Sequence, residues 1–139
     1  MQPGGHIELH ENPWQAILHE IKEETGFSLD QLQLLQPRHR LKHLTGAALH
    51  PVAVCQNTHA VDTEAEHYHS DTLYGFVASG EPAGRPGDDE SQDLRWLTAA
   101  ELTVVPNDQI SLNAREIALY VLSEYLPRWE RVPLTDYAT

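Results

Sequence analysis

The segment from Gly5 to Phe27 constrains this chain more than any other, because it combines a glycine entry, a helix marked at both ends and several carboxylates on one helical face. Asn12 is a strong N-cap, Pro13 suits the first helical position where no N–H is needed, and Gln15 completes a capping box three residues after the cap. Gly26 stands where a left-handed residue would end the helix, so the pattern predicts a helix over Pro13–Thr25. At about 100° per residue, Glu20, Glu23 and Glu24 share a narrow sector, with Trp14, Ile17, Leu18 and Ile21 clustered beside it. One stripe reads as core and its neighbour as acidic. Carboxylates this close repel one another and destabilise the helix unless a cation neutralises them. An all-oxygen donor set suits Mg2+ or Mn2+ better than zinc or copper, the plainer alternative being a solvated acidic face.

The same segment resembles the Nudix box, G-x5-E-x7-R-E-U-x-E-E-x-G-U, in which U is a bulky apolar residue. Gly5, Glu11, Glu20, Ile21, Glu23, Glu24, Gly26 and Phe27 match in register, and Pro3-Gly4-Gly5 followed by Glu8 resembles the run that commonly opens the box. The resemblance implies an α/β fold, the Nudix-type α/β/α sandwich with a mixed sheet, as a single domain over residues 1–139. It also implies hydrolysis of a diphosphate linkage in a nucleoside diphosphate derivative. On that footing Glu20, Glu23 and Glu24, with the backbone carbonyl near Gly4, would hold Mg2+ or Mn2+, and Glu20 and Glu23 would act in catalysis. The later stretch Glu90-Ser91 through Arg95-Trp96 is similar to the family's E-S-x-x-x-R-W segment, which makes Glu90 a candidate further ligand or general base. Asp88, Asp89 and Asp93 compete with it, and an acid-rich loop kept for solubility is the alternative.

The charge balance agrees with a metal-assisted reaction on a small phosphate-containing substrate. With a formal net charge of −12, the protein would repel a phosphoanhydride unless cations stood between them. The same balance argues against duplex nucleic acid, whose backbone demands a basic surface. No apolar run approaches the roughly 20 residues needed to span a bilayer, and none follows the N-terminus as a signal peptide would. Cys55 is the lone cysteine, which excludes an intrachain disulfide and makes a cytoplasmic location the default expectation.

Further along, Leu29 to Leu35 alternates apolar and polar residues and fits a short strand or a turn into one. Pro37 to His43 is the one basic run, and Arg40 within it is a candidate contact for substrate phosphate, against a plainer reading as a water-facing strand. His50 to Cys55 is a strand candidate, Asn57 to Glu66 a polar loop, and His67 to Ala78 the longest expected strand. Its period of two puts His67, His69 and Asp71 on one face. They could line the substrate pocket, or form a transition-metal triad, or lie on a wet strand face. Ligands in line along one strand stand about 6 to 7 Å apart and converge poorly, which favours the pocket wall. Some bacterial Nudix proteins carry a similar H-x-H-x-D stretch beside the box.

Gly80 to Asp89 reads as a surface loop, Thr98 and Glu101 as a capping box opening a short helix, and the apolar spacing from about Asn107 as a final helix stopped near Pro127. Tyr68, Tyr74 and Trp96 are available to stack a base or to serve as core.

Two departures from the family pattern bear on activity. His19 replaces an arginine whose fixed fork of donors can orient neighbouring carboxylates, and histidine offers two at most. Only Met1, Gln2 and Pro3 precede Gly4, so the family's N-terminal strands are expected to be missing, through truncation or a late start, or with a second copy completing the sheet as a homodimer. These departures keep two rival readings open. One is a catalytically weak or inactive Nudix-like binding or regulatory domain. The other is a divalent-metal-binding protein whose acidic helix and histidine strand act independently.

Overall fold

A computed structural model describes residues 2–61, 64 and 66–137. The first helix, α1, runs Pro13–Thr25 as the capping signals predict. Asn12 Oδ1 accepts the Trp14 and Gln15 N–H groups, and Gln15 Oε1 accepts the Asn12 N–H at 3.0 Å. Gly26, at φ 71°, ends it in the left-handed region. A 3₁₀ turn at Leu29–Gln31 then leads into β1, Leu32–Gln36.

β1 is the centre of a three-stranded sheet. It pairs antiparallel with β4, Phe76–Ala78, on one edge and with β5, Glu130–Pro133, on the other. A separate hairpin joins β2, Cys55–Ala60, to β3, Tyr68–Leu73, also antiparallel. The helices α2, Ala99–Val104, and α3, Leu112–Tyr120, precede a single π-helical turn at Val121–Tyr125. The α/β class is observed, and every recorded strand pairing is antiparallel.

Burial follows from the patterning of α1 and β1. Trp14, Leu18 and Ile21 of α1 pack with Leu32 and Leu34 of β1, Val132 of β5, and Leu134 and Tyr137 beyond it. Trp14 is fully buried, stacked on Phe76 at 6.1 Å and met edge-on by Tyr74 and Tyr137. On the opposite side of the sheet, Leu35 shares an apolar cleft with Val77, Trp96, Val121 and Leu126, so helical structure lies on both sides of β1.

Three boundaries differ from the sequence reading. The strand expected at His50–Cys55 begins only at Cys55 and runs through residues expected to be loop. The cause is Gln36, fully buried, whose side-chain amide takes both the N–H and the C=O of Val52 at 2.9 Å and so substitutes for a ladder partner there. Of the expected loop, residues 62, 63 and 65 lie outside the described residues. The long strand expected at His67–Ala78 is divided at Tyr74–Gly75: Leu73 O accepts from the Val54 N–H, whereas Gly75 O accepts from the Leu35 N–H. One extended run therefore serves two sheets. Finally, α3 starts later than Asn107, behind the N-cap Ser111, and the chain past Pro127 returns as β5, which the sequence reading did not anticipate.

Gly26 ties the helix end to the loop before α2. The Gly84 N–H donates to Gly26 O at 2.9 Å, and a Cβ on Gly26 would lie 2.7 Å from the Gly84 backbone. Gly26→Ala therefore combines a disfavoured φ with a clash against backbone. It is expected to destabilise the chain by more than about 1 kcal/mol, read as a lower urea midpoint at unchanged slope.

Candidate functional site

The acidic stripe of α1 is flanked by the glycine turn, at Glu20 and Glu24, and by the loop at 84–90, at Glu23 and Gly26. Gly5 lies so close to Glu20 that a Cβ there would collide with the Glu20 carboxylate, which gives this glycine a steric reason. The Gly4 N–H donates to Glu24 Oε2 at 2.6 Å. Glu23 Oε1 stands 3.1 Å from His19 Nε2, and His19 Nδ1 stands 3.6 Å from Glu11 Oε1. His19 thus bridges the two glutamates it lies between, the orienting position in which the box pattern has arginine.

The loop brings in a fourth carboxylate. The Gly87 N–H donates to Glu23 O at 2.8 Å, and the Glu90 N–H donates to Gly87 O at 3.0 Å. Glu90 is near enough to act on Glu20 electrostatically. Burial pushes the Glu20 carboxyl above its ordinary range, the negative charges of Glu24, Glu23 and Glu90 push it further, and His19 opposes them. Of the candidates in the acid-rich loop, Glu90 is the one whose charge registers at Glu20.

Among the described residues no three His, Cys, Asp or Glu side chains already stand in ligating geometry. The local bonds explain this for the box, since Glu23 is turned to His19 and Glu24 to Gly4. The donor set nevertheless fits a hard divalent cation. It is all oxygen, and burial together with the neighbouring carboxylates raises the Glu20 carboxyl above its ordinary range.

The histidine strand lies against the same turn. His69 on β3 meets His6, next to Gly5, edge-to-face with ring centroids 5.1 Å apart. It also meets His67 at 5.2 Å and His59, opposite it on β2, at 5.6 Å. Asp71 Oδ2 is 3.2 Å from His59 Nδ1. His67 and His69 thus meet each other, and Asp71 meets His59; His6 and His59 were not singled out. The signal for His59 is the hairpin register, which no local pattern reveals.

Arg40 is placed differently. Its nearly buried guanidinium binds Glu130, donates to Tyr137 Oη at 3.1 Å and donates to Pro37 O at 2.9 Å. That pairing holds the Glu130 carboxyl below its usual range. The strand reading of Pro37–His43 is not borne out, since the run is irregular. Of the aromatic candidates, Tyr74 is part of the packing around Trp14, Trp96 is largely exposed with its edge against Phe27, and Tyr68 is exposed. A cleft beside Pro13, lined among others by His50, Val54, Cys55, Thr72 and Tyr74, opens next to the start of α1. No helix among the described residues is long and apolar enough to cross a membrane.

A family model described as NUDIX domain matches residues 2–119 of this chain. No curated protein and no solved structure matches it.

Two outcomes follow from the carboxylate geometry. Glu20's folded pKa lies above its unfolded one, so its penalty is present at neutral pH and disappears as the pH falls through the carboxylate range. Glu20→Gln should raise the metal-free melting temperature by about 1–2 °C at neutral pH and by nothing in acid, and Mg2+ should stabilise the variant less than the parent chain. His19→Arg should keep or increase turnover, because the guanidinium can engage Glu11 and Glu23 together. A large loss in a turnover assay would mean that imidazole has a role of its own.

Proposed function

This chain belongs to the Nudix domain family, and from that premise we propose that it hydrolyses a diphosphate linkage in a nucleoside diphosphate derivative with Mg2+ or Mn2+. Glu20, Glu23 and Glu24, with the carbonyl of Gly4, would hold the ions. The observation that carries this reading is the anchoring of the loop at 84–90 on α1, where the Gly87 N–H donates to Glu23 O at 2.8 Å and sets Glu90, some 66 residues past Glu24 in sequence, beside the acidic stripe.

When bound, the divalent ions would supply charge neutralisation of the phosphate oxygens and polarisation of a water. The protein's own part is positional. Glu90, carried on the loop and not on the helix, is proposed as the base that takes a proton from the attacking water. The water oxygen forms the new bond to phosphorus as the bridging P–O bond breaks, and the bridging oxygen leaves with the second phosphate. His19 holds Glu23 in place, and the absence of a side chain at Gly5 lets the turn pack against the Glu20 carboxylate. His67, His69 and Asp71 are proposed to face the substrate, supported by the packing of His69 on His6. For Arg40 the same proposal has less support, since its donors are engaged by Glu130, Tyr137 and Pro37.

One observation favours the second reading, a catalytically weak binding domain: Glu24 is already occupied by the Gly4 N–H at 2.6 Å. A panel of nucleoside diphosphate derivatives incubated with Mg2+ or Mn2+ separates the two by release of phosphate-containing products. Glu23→Gln and Glu24→Gln should each suppress release strongly, and Glu90→Gln should lower it by about 10²–10⁴-fold. Turnover unchanged by the first two would remove the box from the chemistry.

A further inference from the structure

We propose that two copies of this chain associate about a two-fold axis through the apolar cleft between the sheet and the π-helical turn, each seating its Trp96 in the cleft of the other. The dimer holds whether or not the box cleaves a diphosphate.

The cleft has walls and no filling. Leu35 and Val77 of the sheet and Val121 and Leu122 of the π-helical turn line a space of about 400 Å3, and Trp96 stands at its rim, 65% exposed. The helical layer beside it is loosely seated. Neither α3 nor the π-helical turn contains a buried residue, α2 buries only Leu102, and Leu112, Tyr120 and Leu122 are exposed. The whole chain exposes 9607 Å2, whereas a folded monomer of 15.7 kDa exposes about 7,300 Å2. That surplus of about 2,300 Å2 exceeds the roughly 800 Å2 that each partner contributes to a standard interface.

Charge makes this face the one on which a second copy can settle. Residues 94–128 carry three arginines and four acidic groups, a net of −1, which leaves −11 for the rest of a chain of net charge −12. Elsewhere on the surface, like charge opposes self-association. Glu81 is the one charged group among the described residues lining the cleft. A two-fold axis makes the contact reciprocal, so the ring that each copy leaves exposed fills the space that the other leaves open. Tryptophan suits that role, because it brings a large rigid apolar area with few rotamers to lose. The edges of the three-stranded sheet offer less. β4 and β5 are three and four residues long, too short to template strand pairing with another chain.

The test is sedimentation velocity of the full untagged chain over a range of micromolar concentrations, with acrylamide quenching of tryptophan fluorescence alongside it. We expect a dimer whose quenching rises on dilution. Trp96→Ser and Leu122→Asp should each raise its dissociation constant by at least about 30-fold, and Val104→Ser, at an exposed apolar position outside the cleft, should leave it unchanged. Circular dichroism should show native secondary structure in all three. If Trp96→Ser does not fold, Leu122→Asp decides alone. A chain that stays monomeric at every concentration leaves the cleft to a different protein or to another segment of a longer chain, and overturns the proposal. A dimer that survives Trp96→Ser and Leu122→Asp, or that Val104→Ser dissociates in their place, overturns it too.

Discussion

The packing of Trp14 against Phe76, Tyr74 and Tyr137 sets the roll of α1, and the roll decides where three glutamates point. A helix can present a buried stripe and an acidic stripe side by side only if the buried one is firmly seated, because the carboxylates push outward against one another. Trp14, Leu18 and Ile21 supply that seating against Leu34, Val132 and Tyr137. The position of the acidic face is thus a consequence of core packing several residues away from it.

Around that face the chain uses small parts to manage crowded negative charge. Gly5 withholds a Cβ from the Glu20 carboxylate, the Gly4 N–H engages Glu24, and His19 spans Glu11 and Glu23. The backbone of the loop is anchored at Gly26 and Glu23, and that anchoring delivers one more carboxylate, Glu90. Each contact restrains a group that would otherwise be driven away. A cation is the natural partner for what remains unbalanced on a chain with net charge −12.

The other charged elements divide between structure and chemistry in a way that residue type alone does not reveal. Arg40 looked available in sequence because its surroundings are polar and basic, yet it joins Glu130 and Tyr137, 90 and 97 residues away, and so fastens the end of the chain beside β1. The histidines show the reverse. Three segments that look unrelated contribute rings to one cluster, because a hairpin register and a turn place them there.

Local chemistry by itself determined the parts that depend on neighbours in the chain. Asn12, Pro13, Gln15 and Gly26 bound α1 because caps act within a turn, Thr98 and Glu101 open α2 for the same reason, and the glutamate spacing follows from helical geometry. The box itself was legible for that reason. Strand limits were not, because a strand exists only where a partner offers hydrogen bonds. Gln36 took the partner's place at Val52, Gly75 handed the chain from one sheet to the other, and β5 exists because β1 had a free edge. Only tertiary structure decided that the loop carrying Glu90 is anchored on α1, that Arg40 does not stand free, and that His6 and His59 join His69, since each depends on contacts between segments distant in sequence.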